Sequence, residues 1–288
     1  MQARPIRYLA SSILLPGLRL WSRYLKNDGG AVFRILTFHN IRSDRMPVFS
    51  ELLDYLLANH RFVTPAEAER LAAGEAEPAG NHGRVPYLVT FDDGFRSNYE
   101  VARSVLAPRG IKAIFFVVPG IVGAPMDVQR RLMAQYVFDG NAQSVAPDLE
   151  MMHWPEIRQL RDEGHTIGSH TLSHRRLSEL SDNELLDEIS GSRSMLSEQI
   201  GEEVHWFAYP FGNVESISAK ASELVRQTYR FSCTAVRGLN RGGSALALFR
   251  ENVELDSPLS YQKFECEGGL DFYYAAKRAQ IMKMVHTS

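Results

Sequence analysis

The run Val89-Thr90-Phe91-Asp92-Asp93-Gly94 sets two adjacent carboxylates at the end of an apolar stretch, immediately before a glycine. A strand with two acids at its mouth suits chemistry rather than packing. Taken alone, Asp-Asp-Gly is equally the composition of a surface turn with an Asp helix cap. A second cluster changes that balance: Gly164-His165-Thr166-Ile167-Gly168-Ser169-His170-Thr171-Leu172-Ser173-His174. His170 and His174 stand four apart, so a helical turn would aim both imidazoles at one point, and neutral imidazole is a common ligand for zinc and its neighbours. With 9 His in 288 residues, chance alone gives about 0.3 His-x-x-x-His pairs per chain, so the spacing gains weight only from the acids. One carboxylate and two imidazoles make a facial set of three ligands with positions left open for water and substrate. That is the form of a catalytic metal site, not of a closed structural one.

Positioning such groups requires strands that deliver them to one rim. Tyr87 to Phe91 reads as a buried strand and Phe95 to Ala107 as the helix after it, which places both acids at a strand-to-helix corner, where parallel α/β folds keep their sites. Further strands are expected at Val32 to His39, Ile111 to Val118, Thr166 to Ser169, His205 to Tyr209, Phe231 to Val236 and Ala247 to Leu255, with Val85 opening the acid-bearing one. Helices are expected between them at Val48 to Ala58, Pro65 to Ala73, Ser97 to Ala107, Val128 to Val137, Trp154 to Glu163, Asp182 to Ile200 and Ser216 to Gln227. Ser181-Asp182-Asn183-Glu184 opens the longest with a capping signature. Gly74 to Arg84 and Gly238 to Gly243 read as loops. This alternation predicts an α/β barrel, residues 31–288, with no internal repeat or linker.

Composition agrees. The chain is long enough for a barrel of about 250 residues, and 44% of it is apolar. A balance of 32 basic and 34 acidic residues argues against a nucleic-acid-binding role. Cys233 and Cys266 show neither metal spacing nor a disulfide framework, which fits a reducing compartment. Residues 1–30 stand apart: Ile6, Leu9, Ile13, Leu14, Leu18, Trp21 and Leu25 recur at helical spacing, interleaved with Arg4, Arg7, Arg19, Arg23 and Lys26. That pattern is a basic amphipathic helix, lying on a membrane surface or packed on the barrel, in a protein expected in the cytoplasm or peripheral to the inner membrane. A cleaved signal peptide, and hence a periplasmic protein, is the alternative, but Pro16 and Arg19 cut the apolar run and no Ala-x-Ala site follows.

Three segments in order carry a family resemblance: Thr90-Phe91-Asp92-Asp93-Gly94, Ser169-His170-Thr171-Leu172-Ser173-His174, and Phe207-Ala208-Tyr209-Pro210-Phe211-Gly212. They resemble the first three motifs of the polysaccharide deacetylases, carbohydrate esterase family 4 with the NodB-homology fold. Trp154 to Leu160 resembles the helix before the second motif. The resemblance covers Arg34 to Leu255 and implies a distorted (β/α)7 barrel. The implied activity is a metal-dependent hydrolase that removes N-acetyl groups from the amino sugars of a polysaccharide or its precursor. Asp92 is then the general base, and Asp93, His170 and His174 the ligands of one divalent ion, zinc first, with nickel, cobalt or iron(II) as alternatives. Phe211 matches the aromatic residue whose backbone N–H meets the developing oxyanion; outside this company, Tyr209 to Gly212 is an ordinary turn.

This sequence departs from the family pattern twice. The third motif often begins with Arg, where Ala208 stands, and the fifth usually supplies a His, where Arg250 stands in Ala247 to Val253. Both features resemble a sub-group linked to exopolysaccharide synthesis. Arg250 is expected to reach in from the neighbouring strand and supply the missing cation beside Asp92; otherwise it is a surface Arg at a strand end. The acid for the leaving amine stays open. His39, in Leu36-Thr37-Phe38-His39, lies at the end of the first strand on the same rim, as acid or as a structural residue, and His165 reads as scaffold. Two other functions remain: an amidase or deformylase on another sugar-linked amide, and a sugar-binding pseudo-deacetylase.

Overall fold

Strand β1 (Val32–Phe38) is buried at every residue. Such near-continuous apolar runs belong to parallel strands covered on both faces. The computed structural model describes residues 8, 11, 13–18, 31–75 and 84–286. Beside β1 come β2 (Arg61–Phe62), β3 (Pro86–Phe91), β4 (Ala113–Val117), β5 (Thr166–Ser169), β6 (Trp206–Ala208) and β7 (Phe231–Cys233). Parallel pairing runs β1–β3–β4–β5–β6–β7, with β2 joined to the start of β3. β8 (Asn240–Arg241) runs antiparallel to Val32 and Phe33. The next stretch draws the sheet round: Leu248 bridges Cys233 on one side, and β9 (Glu251–Asn252) lies parallel to β1 on the other. The result is a distorted (β/α) barrel, as the sequence predicts.

Alternate strand residues divide into two apolar faces, as the two-residue period of a strand requires. Phe33, Ile35, Leu88, Ile114, Phe116 and Trp206 fill the interior. Leu36, Phe38, Val89, Phe91, Phe115 and Phe207 point outward, under a shell of helices. The shell comprises α1 (Met46–Asn59), α2 (Pro65–Ala72), α3 (96–109), α4 (126–137), α5 (Trp154–Asp162), α6 (182–200), α7 (Ala219–Thr228), α8 (Leu259–Cys266) and α9 (Ala275–His286). Toward the C-terminal ends of the strands the interior turns polar. Thr37 and Thr90 sit opposite each other in register, their hydroxyls 2.7 Å apart, and the acids come next.

Several expectations are corrected here. The expected strand Ala247 to Leu255 reduces to Glu251–Asn252 and the bridge at Leu248, because Ala247 takes a left-handed φ of 57° and bends the chain. α8 and α9 were not expected; α8 buries Tyr261, Phe264 and Cys266, and ion pairs tie it and the turn after it to the barrel, with Arg237 on Glu265 and Arg34 on Asp271. In the N-terminal segment residues 13–18 are helical. Tyr8 packs edge-on against Tyr261 of α8 with ring centroids 5.0 Å apart. The rest of the expected basic helix, with Arg4, Arg7, Arg19, Arg23 and Lys26, lies outside the described residues, as do residues 76–83 of the expected loop.

Candidate active site

Strand ends and the turns beside them deliver the polar groups at the mouth. Asp92 N–H donates to Phe38 O at 2.9 Å, so pairing with β1 persists up to the first acid. Asp93 and Gly94 then take φ of 72° and 83° and turn the chain away. Left-handed backbone is uncommon outside glycine, although Asp tolerates it better than most. Past β5, His170 N–H donates to Val117 O at 2.9 Å. The segment 170–174 is not the helical turn that the His spacing suggested. Thr171 and His174 adopt φ of 64° and 65°, and this irregular turn brings the imidazoles together. Gly168 is required just below, since a Cβ there would lie 2.5 Å from the Phe116 ring that fills the interior.

His174 Nε2 lies 3.3 Å and His170 Nε2 3.6 Å from the same oxygen, Asp93 Oδ1. All three residues are buried. The two Nδ1 atoms are committed elsewhere: that of His170 meets Ala208 O at 2.8 Å, and that of His174 meets Tyr136 O at 2.9 Å. A carbonyl only accepts, so each Nδ1 carries the proton and each Nε2 presents a lone pair. Burial also pushes His170 down to about 4, which keeps its ring neutral. Two lone pairs thus converge on a carboxylate oxygen that is buried and has no hydrogen-bond partner among the described residues. Three acceptors without a proton between them repel; a divalent cation is what reconciles them, and the set fits one.

Asp92 faces this cluster from the side, its Oδ2 3.9 Å from His170 Nε2. Arg250, fully buried, grips it with two parallel bonds of 2.7 and 2.8 Å. Its Nε donates to Thr234 O at 2.8 Å, which fixes the guanidinium plane. Burial alone would raise the Asp92 carboxyl; the charge of Arg250, with His170 and the two hydrogen bonds behind it, outweighs that and holds it well below the usual carboxylate range. Ala208 contributes only its carbonyl. His39 stands on the open side with Nε2 4.0 Å from Asp92 Oδ2 and its side chain 44% exposed. Phe211 has φ 59°, sets its ring edge-on to His174 at 5.0 Å, and carries the Arg176 guanidinium over its face at 4.2 Å.

The structure therefore brings Asp92, Asp93, His170, His174, Arg250, His39 and Phe211 to one cleft of about 270 Å³. His165 is a scaffold residue beneath β4, where its Nδ1 accepts from Ala113 N–H at 3.1 Å. Burial pushes the Cys233 thiol up to about 12, so it stays protonated. Sequence reasoning missed the groups that hold the imidazoles, Ala208 O and Tyr136 O, since a carbonyl leaves no trace in residue type. It also missed Tyr209 and Asn213, which line the cleft. The cleft opens both ways along the rim: one of about 700 Å³ shares His174 and Phe211 with it, and one of about 310 Å³ shares His39 and Asn252.

Residues 79–229 match the model of the family described as polysaccharide deacetylase. YxkH of Bacillus subtilis (strain 168), a proposed polysaccharide deacetylase, is 25% identical over 239 residues, covering 81% of this chain and 75% of that protein. Among solved structures, IcaB from Ammonifex degensii superimposes with a TM-score of 0.63 at 26% identity, over 82% of this chain and 97% of its own. The Streptococcus pyogenes deacetylase PplD in complex with acetate shares the fold, with a TM-score of 0.60 at 18% identity over 80% of this chain and 96% of its own.

Proposed function

The chain belongs to the polysaccharide deacetylase family and is an N-deacetylase hydrolase, and on that premise we propose that it is metal-dependent and strips acetyl groups from the amino sugars of an exopolysaccharide or its precursor. The observation that carries the metal dependence is the convergence of two Nε2 lone pairs on the unpartnered Asp93 Oδ1. Asp93, His170 and His174 would hold the ion, zinc first. A divalent cation bound there supplies Lewis acidity toward a water and an amide carbonyl.

The residues around it divide the remaining work. Asp92 accepts the proton of the attacking water as the new C–O bond forms. A carboxylate held so low is a weak base, but it is ionised throughout the neutral range and aligned by Arg250. The Phe211 N–H, which donates to no other group among the described residues, meets the oxygen on which negative charge develops. His39 then protonates the sugar nitrogen as the C–N bond breaks, releasing acetate and a free amine. The exopolysaccharide assignment is supported by Tyr209-Pro210-Phe211-Gly212 with Leu248-Phe249-Arg250, the pattern of the sub-group that the sequence resembles. We place the protein in the cytoplasm or peripheral to the inner membrane, held through residues 1–26.

The test is mass spectrometry of N-acetylated glucosamine oligomers after incubation with wild type and Asp92→Asn. Loss of acetyl units with wild type, reduced about 10²–10⁴-fold in the variant, is the expected result. Intact acetyl groups with both proteins, or equal turnover by both, would contradict the reading.

A further inference from the structure

The turn between the two imidazoles is gripped from below by one buried side chain. Glu188, 4% exposed, uses both carboxylate oxygens on Ser173: one accepts from its backbone N–H at 2.9 Å and the other from its hydroxyl. The carbonyl of Glu188 also accepts from Leu172 N–H at 3.0 Å. Residues 172 and 173 are thereby tied to a single residue of α6, between His170 and His174. The turn needs such a tie, because Thr171 and His174 both occupy left-handed backbone that non-glycine residues leave readily.

The helix is built to present Glu188. α6 opens into a π-type turn at Asp187–Gly191, one of three in the described helices, and such wide turns are frequent at functional sites. The carbonyl of Ile189 within it accepts from Ser192 Oγ at 2.9 Å and from Tyr229 OH at 2.8 Å. Ser192 in turn meets Ser169 Oγ at 2.8 Å, so the same turn holds the end of β5 one residue before His170.

We propose that Glu188 is a positioning residue for the metal centre: through Ser173 it sets where His174 Nε2 stands relative to His170 and Asp93. The proposal rests on the metal reading above. Its test is the affinity of the full chain for cobalt(II) and zinc, read by chelator competition, together with the visible spectrum of the cobalt form. Removing a group that orients a ligand typically costs 10–100-fold in metal affinity. Glu188→Ala is expected to lose affinity in that range and to alter the cobalt spectrum, while Glu188→Gln, which keeps the shape and one acceptor, falls between it and wild type. Glu267→Gln, which disturbs the buried His60 contact of 2.8 Å away from the turn, should keep wild-type affinity and spectrum. If Glu188→Ala does not fold, Glu188→Gln carries the test. Wild-type affinity and spectrum in the folded variants would overturn the role of Glu188 and leave the metal reading standing; a wild-type protein that binds neither ion would overturn both.

Discussion

At the scale of single residues, the Asp92–Arg250 pair decides most. An arginine with no exposure, bidentate on a carboxylate at 2.7 and 2.8 Å, has no solvent to fall back on. Breaking a buried pair by removing one partner typically costs on the order of 3–5 kcal/mol, and we expect Arg250→Gln to lose stability on that scale along with activity. The pH dependence should also invert. In wild type the folded-state value of Asp92 lies below its unfolded value, so its contribution is present above about 3.9 and lost as pH falls through the folded-state value. Without the guanidinium burial raises that value, and stability should instead fall as pH rises through it. Thermal melts of both proteins between acid and neutral pH check this; a variant that tracks wild type would show that the pair contributes nothing. The residue types of this site were legible in the sequence, Arg250 included, because carboxylates, imidazoles and a misplaced cation are chemical signals. Glu188 was not, since a lone acid in a helical segment resembles any solvated one.

At the scale of elements, the expected strands up to β6 were read to within two residues, β7 and the last strand proved shorter than expected, and the turns between them were read poorly. β5 was expected at Thr166 to Ser169 and lies at Thr166–Ser169. Buried parallel strands announce themselves by unbroken apolar runs, whereas the left-handed residues Asp93, Thr171, His174 and Phe211 have no marker in residue type. That is why His-x-x-x-His spacing suggested a helical turn where an irregular one stands. Tight packing under the site gives an element-scale prediction. Gly168→Ala would place a methyl 2.5 Å from the Phe116 ring and 3.3 Å from Trp206 Cβ, and overpacking of this sort typically costs about 1–3 kcal/mol. Chemical denaturation should show that loss; an unchanged midpoint would mean that the interior has slack the structure does not show.

At the scale of the whole molecule, the barrel was legible because strand and helix alternate, and the C-terminal layer was not. Ion pairs help to dock its first part, and charges scattered along a sequence do not reveal their partners. Among the described residues no helix is long and apolar enough to cross a membrane. Ile13 and Leu14 are nevertheless 72% and 54% exposed. In the sequence they are interleaved with Arg and Lys, and each such cation near anionic headgroups is worth about 1 kcal/mol, so we expect the segment to favour an anionic surface. Deleting residues 1–30 should leave turnover of a short oligomer within about twofold and reduce co-sedimentation with anionic vesicles; equal co-sedimentation would assign the segment to packing alone.

The central claim is that hydrolysis runs on an ion held by Asp93, His170 and His174. Acetate release from N-acetylated glucosamine oligomers, followed while chelator-treated protein is titrated with zinc, tests it most directly. Activity should vanish on chelation, return at about one equivalent of ion, and fail to return in His170→Ala. Full acetate release by metal-free wild-type protein would contradict the account.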